Sequence, residues 1–119
     1  MGLFSVDVTV ANPAAPEVER HIDLLVDTGA TLSWIPRNLL LSLGVRSTSR
    51  LVFQLADGRT LEREVGGLLF TIDGRTVPIP VAFGEPGEES VLGATALEAL
   101  GFAVDPVAKK LIPRNLLAL

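Results

Sequence analysis

The Asp-Gly pairs at 57–58 and 73–74 constrain this chain more than any other feature. Each interrupts extended segments rich in aliphatic residues: Leu51 to Leu55 and Leu61 to Val65 around the first, Leu68 to Ile72 and Thr76 to Phe83 around the second. Successive side chains of a strand point to opposite faces, so alternation marks a half-buried strand. An Asp-Gly pair between two such runs reads as a hairpin. For the first pair the expectation is a type I′ turn, whose central residues both need positive φ. Phe4 to Val10 alternates as well, with Phe4, Val6, Val8 and Val10 opposite Ser5, Asp7 and Thr9. Asn12 to Pro16 breaks that strand, and Glu17 to Val26 resumes extended structure. Phe102 to Asp105 and Lys110 to Ile112 form a last hairpin around Pro106. Pro78 and Pro80 share a face and lack ladder donors, which places their strand at a sheet edge. Helix is limited to Pro36 to Leu43, closed by Gly44, and Thr95 to Leu100, stopped by Gly101. The pattern is that of a mostly β domain with one clear short helix.

With 119 residues, the chain fits a single domain, 1–119. Hydrophobic residues make up 48%, enough for a modest core. A net charge of −4 and the lack of a basic block argue against nucleic acid or an anionic membrane as partner. No cysteine is present, which excludes disulfides, zinc-thiolate sites and thiol nucleophiles. His21 is the only histidine, so one chain cannot form a histidine triad or a multi-histidine metal site. Met1 to Phe4 lacks the basic start and apolar run of a signal peptide, and Val6 stands where a myristoylation signal at Gly2 wants Ser or Thr. No apolar run reaches the roughly 18 residues of a membrane span. The expectation is a soluble, cytoplasmic protein. Glu85, Glu88 and Glu89 read as a charged loop rather than a cation site.

Leu25-Val26-Asp27-Thr28-Gly29-Ala30 drives an aliphatic strand into an acid and then a glycine turn. A strand ending this way holds its carboxylate at a sheet edge, half out of water, at a cost unless the acid has a partner. Gly29 permits a sharp turn and a close neighbour, and Thr28 offers a hydroxyl to an adjoining loop. Aspartate also caps turns with no further role. Asp-Thr-Gly arises by composition in about one chain in a hundred of this size, so its context must carry the argument.

That context is a hairpin around Asp57-Gly58, then Ser90-Val91-Leu92-Gly93 leading into the Thr95–Leu100 helix. Order and spacing resemble the retroviral-type, retropepsin-like aspartic proteases from about Phe4 to Ile112. The resemblance implies an all-β fold: a closed acid-protease-like β barrel with one short C-terminal helix and one lobe per chain. It also implies an aspartic endopeptidase with Asp27, Thr28 and Gly29 as its catalytic loop. Two carboxylates sharing a proton split their pKa values; one activates a water and the other donates to the scissile carbonyl. The chain has a single Asp-Thr-Gly and no Asp-Ser-Gly, and Asp57 and Asp73 lack the intervening hydroxyl residue. The second acid must come from a second Asp27, which makes the enzyme a two-fold homodimer acting on a peptide or protein substrate. No metal or other cofactor is implied.

By the same resemblance the Leu51–Val65 hairpin is a flap, with Ala56, Asp57, Gly58 and Arg59 at its tip. Leu25, Ala30, Thr31, Leu32, Trp34 and Val91 would contact substrate. An ordinary exposed hairpin and plain core packing are the competing accounts. Thr31 and Ala94 stand where the retroviral enzymes carry an acid and an arginine that pair and support the dimer. The dimer must then be held otherwise, for which the apolar tail Leu116 to Leu119 is a candidate. The alternative function is a catalytically inactive dimeric peptide-binding or assembly module of the same fold. A third is an unrelated β domain with Asp27 as a turn residue.

Overall fold

The computed structural model describes residues 4–119. The readings made at Met1, Gly2 and Leu3 lie outside the described residues. Nine strands and two short helices follow in the order β1 (Ser5–Ala11), β2 (Glu19–Val26), β3 (Ser33–Pro36), α1 (Arg37–Ser42), β4 (Ser49–Gln54), β5 (Thr60–Ile72), β6 (Arg75–Gly84), β7 (Val91–Leu92), α2 (Ala94–Leu100), β8 (Phe102–Asp105) and β9 (Lys110–Pro113). Seven strands form one sheet in the order β1-β2-β7-β3-β6-β5-β4. β1 also pairs with β5, Thr9 to Ala11 against Thr71 to Leu69, so the strands from β1 to β5 close into a ring and β4 hangs outside it on β5. β8 and β9 form a separate two-stranded sheet. The mostly β, single-lobe architecture is the one expected.

Alternation explains which side of each strand meets the core. Val8 and Val10 of β1 and Leu24 and Val26 of β2 are buried, whereas Asp7 and Asp23 are exposed. These aliphatics pack with Ile35, Leu40, Leu68, Phe70, Phe83 and Phe102 inside the ring. α2 buries Ala96, Leu97 and Leu100 on one face. It ends at Gly101, which is left-handed at φ 76°, and Arg75 Nη1 donates to the carbonyls of Leu100 and Gly101 at 2.9 and 2.7 Å. A cation at a helix C-terminus satisfies free carbonyls and opposes the helix dipole. The same guanidinium lies 4.8 Å from the centre of the Phe102 ring.

Both Asp-Gly hairpins form, with different turns. Asp73 (φ 50°) and Gly74 (φ 78°) both have positive φ, as a two-residue type I′ connection requires. At the first hairpin the type I′ expectation is corrected. Only Gly58 is left-handed there, at φ 90°. The Leu55 N–H donates to the Arg59 carbonyl (2.7 Å) and the Gly58 N–H to the Leu55 carbonyl (2.9 Å). The loop therefore holds Ala56, Asp57 and Gly58, the three-residue form in which a left-handed residue follows an ordinary turn. Asp57 stabilises it by accepting the Arg59 backbone N–H at 2.9 Å. The runs Leu61 to Val65 and Leu68 to Ile72 belong to one 13-residue strand, β5, with Gly66-Gly67 inside it. A Cβ on Gly66 would sit 2.5 Å from the Arg46 carbonyl oxygen, so glycine is needed there for close approach. β6 pairs with β3 only from Val81 to Gly84, and Pro78 and Pro80 lie exposed on the part that pairs with β5 alone, as expected of an edge.

Candidate active site

β2 delivers Asp27 by ending one residue before it. The last β2 residues pair in parallel with β7, Leu25 with Val91 and Val26 with Leu92. The Asp27 N–H then donates to the Leu92 carbonyl at 3.0 Å, which extends the ladder by one bond and fixes where the acid leaves the sheet. The chain turns at once: the Ala30 N–H donates to the Asp27 carbonyl at 3.2 Å, and the Gly29 N–H donates to Asp27 Oδ1 at 3.0 Å. One carboxylate oxygen is thus aimed by the loop's own backbone. Among the described residues no protein group donates to the other. Asp27 is half-buried and Thr28 and Gly29 are exposed, so the acid faces open space across a tight turn. A Cβ on Gly29 would lie 3.3 Å from Asp27 Oδ1 and crowd it.

The second glycine loop is bonded directly to the first. The Ala94 N–H donates to the Ala30 carbonyl at 2.7 Å and the Thr95 N–H to the Thr31 carbonyl at 3.0 Å. The Gly93 N–H donates to the hydroxyl of Ser33, a fully buried side chain, at 2.9 Å. Gly93 is extended, so its requirement is space: a Cβ would lie 2.6 Å from the Leu32 carbonyl carbon and oxygen and 2.8 Å from the Ala30 oxygen. Backbone bonds therefore join the loops at Thr31 and Ala94, the positions without the acid–arginine pair.

A cleft of about 700 Å³ opens between the Asp27 loop and the β4–β5 hairpin. Of the residues expected at the site, Asp27, Gly29, Ala30, Thr31, Leu32, Trp34, Ala56 and Val91 come together on its walls. Leu25 does not line it; it is half-buried in β2 behind Val91. Asp57, Gly58 and Arg59 are exposed at the hairpin tip, off the walls, and the Asp57 carboxylate is bound by Arg59 Nε at 2.6 Å. Thr28 borders a different hollow, about 560 Å³, with Leu97, Phe102 and Val104 among its walls. Leu32 and Trp34 also pack locally: Leu32 is buried, and the Trp34 ring meets Phe53 of β4 edge-on at 5.1 Å.

The sequence reading missed several wall residues. Residues 51–55 line the cleft from β4 and its turn, together with Leu61 from β5. Glu88 and Glu89, read as part of a charged loop, also line the cleft. Ser33 gives no sign in the sequence, since its role depends on Gly93, far along the chain.

Ion pairs tie the base of the hairpin to the β6–β7 loop. Arg63 of β5 binds the Glu88 carboxylate and stacks 5.7 Å from the Trp34 ring centre. That hydrogen bond holds the Glu88 carboxyl below the usual carboxylate range and raises the Arg63 guanidinium. The Glu85 N–H also donates to Glu88, at 2.7 Å. Arg37 bridges Glu85 (2.7 Å) and Glu64 (3.1 Å), and these bonds raise its pKa in turn.

These features define a single-lobe acid-protease architecture with one aspartate loop. The model of an aspartyl protease family matches residues 6–96, and the chain belongs to that family. Two solved structures are similar. The EIAV protease complexed with the inhibitor HBY-793 aligns with TM-score 0.60 and 17% identity, covering 82% of this chain and 88% of that one. A retropepsin-like aspartic protease from Rickettsia conorii aligns with TM-score 0.51 and 23% identity, covering 87% and 85%. At such identities the likeness shows the fold, and with the family match it makes the chain retropepsin-like. No curated protein matches the sequence. Among the described residues no group of acids and histidine is placed to hold a metal ion, and no helix is long and apolar enough to cross a membrane.

Proposed function

We propose that the protein is an aspartic endopeptidase that acts as a two-fold homodimer, with one Asp27 from each copy. The observation that carries this reading is the Asp27 carboxylate, held by the Gly29 N–H at the edge of a mostly apolar cleft. One such acid is half a catalytic pair. In the dimer the two Asp27 groups share a proton. The ionised one takes a proton from water as the water attacks the peptide carbonyl, and the protonated one donates to the carbonyl oxygen. The pair titrates as a unit, so neither role belongs to one copy. Two features favour a second copy on this face: the exposed loop tip at Thr28 and Gly29, and the neighbouring apolar hollow. The β4–β5 hairpin is the flap. Phe53 and Leu55 would cover an extended peptide while Leu32, Trp34 and Val91 offer an apolar wall to its side chains.

A library of peptides incubated with the protein between about pH 3 and pH 7, the range of a proton-sharing carboxylate pair, tests the reading. Hydrolysis is expected, with inhibition by a statine-type mimic of the tetrahedral intermediate. Asp27→Asn should lower kcat by at least about 1,000-fold, the order lost when a general acid–base group is removed. A parent protein that binds peptides and cleaves none would instead be a peptide-binding module.

A further inference from the structure

The charged side chains on the cleft walls are Asp27, Glu88 and Glu89; no lysine or arginine lines it among the described residues. Their situations differ. Asp27 is held by the Gly29 N–H at the centre of the loop. Glu88 is engaged twice, by the Arg63 guanidinium and by the Glu85 N–H. Glu89 is exposed and has no hydrogen bond or ion pair among the described residues. It stands two residues before Val91, in chain that the Leu25 N–H bonds at the Ser90 carbonyl, and Glu89 and Val91 both reach the same cleft. The nearby cation, Arg63, is occupied by Glu88 and stacked on Trp34, and Arg59 at the hairpin tip is occupied by Asp57.

We infer that Glu89 sets a substrate preference: the cleft takes a peptide with lysine or arginine beside the scissile bond, its head on the Glu89 carboxylate. An apolar wall rimmed by one unpaired carboxylate suits a side chain with an aliphatic stem and a cationic end. The stem lies along Val91 and its apolar neighbours while the head stays at the wet rim. An acidic side chain at the same place meets like charge and is rejected. The inference rests on the peptide cleft proposed above. In the homodimer each copy contributes a Glu89, so the preference extends to both sides of the cleaved bond.

The test uses peptides that share an apolar core and carry lysine, norleucine or glutamate at each position flanking the cleaved bond. Lysine should exceed norleucine by about fivefold in kcat/KM, the scale of a solvent-exposed ion pair, and glutamate should be poorest. Added salt should compress the ratio. Glu89→Gln should bring the lysine-to-norleucine ratio to about one and Glu89→Lys should invert the order towards glutamate. Lysine placed at the far ends of the peptide should confer nothing. An unchanged ratio in Glu89→Gln overturns the inference while hydrolysis itself stands. Affinity of the same peptides for Asp27→Asn, read by fluorescence polarisation, separates the two claims. A lysine preference that disappears with Glu89→Gln upholds Glu89 even where the parent cleaves nothing. Absence of binding to every peptide overturns both.

Discussion

At the scale of single residues, the candidate site depends on small groups that leave room or complete a bond. Ser33 is the clearest case. Its hydroxyl is buried and accepts the Gly93 N–H, which has no route to water. Ser33→Ala would leave that donor unpaired, at a cost of about 2 kcal/mol. The expected result in urea unfolding is a lower midpoint with an unchanged slope, since the surface exposed on unfolding stays the same. A loss below about 0.5 kcal/mol, the range of inconsequential surface substitutions, would mean that Gly93 has another acceptor. The Asp27 loop could be read from its own residues, because an acid and a glycine after a buried strand are informative in one short stretch. Ser33 could not. A serine between Leu32 and Trp34 looks like any polar strand residue until the chain brings Gly93 beside it. Glu88 and Glu89 do lie in the charged loop read for them, and the cleft that the loop borders was hidden for the same reason, since a charged loop shows nothing of the cavity beside it.

Among the elements, the long strand β5 connects core and site, and its two glycines should behave differently. Gly66→Ala places a methyl group 2.5 Å from the Arg46 carbonyl oxygen, whereas nothing lies within 4 Å of a Cβ on Gly67. Neither residue has positive φ, so space alone separates them. Gly66→Ala should cost about 2 kcal/mol through overpacking; Gly67→Ala should be neutral or slightly stabilising, because alanine restricts the unfolded chain. Parallel thermal unfolding of the two variants decides this, and equal effects would refute it. The clamp at the hairpin base gives a pH-dependent expectation. Folding lowers the Glu88 carboxyl pKa through its bond to Arg63, so its contribution is complete above the unfolded glutamate value, near 4.3. It is lost as the pH falls through the lower folded value. The side chains are 29% and 20% exposed, which limits the effect to about 1 kcal/mol. Glu88→Gln should be less stable than the parent at pH 7, and the two should converge in acid. Curves that stay parallel would show that the pair contributes no such linkage. Hairpins and helices were legible because their signals are local: alternation, Asp-Gly turns and glycine stops. β3 and β7, four and two residues long, were not. They are too short for periodicity, and β7 is defined by distant partners, Leu25 and Trp34.

For the whole molecule, the count of acids makes a quantitative claim about assembly. On the proposed mechanism, a chain with one Asp-Thr-Gly needs a second copy to place two carboxylates on one water. Leu116, Leu117 and Leu119 are largely exposed, apolar surface that a lone subunit would be expected to cover. Dimerisation is best tested through activity, because any sticky surface can give a dimer without a shared site. Suppose the parent and Asp27→Asn are unfolded together in equal amounts and refolded, so that subunits pair at random. If both acids are needed, only pairs of two parent subunits work, and activity falls to about one quarter of that of the same total amount of parent. If each chain works with its own acid, activity falls only to about one half, the parent's share of the chains. A larger excess of Asp27→Asn separates the cases further, since active pairs decrease as the square of the parent fraction and independent sites only in proportion. The quadratic dependence would place the reacting water between two subunits; the linear one would require a one-chain mechanism that a single Asp27 carboxylate does not supply.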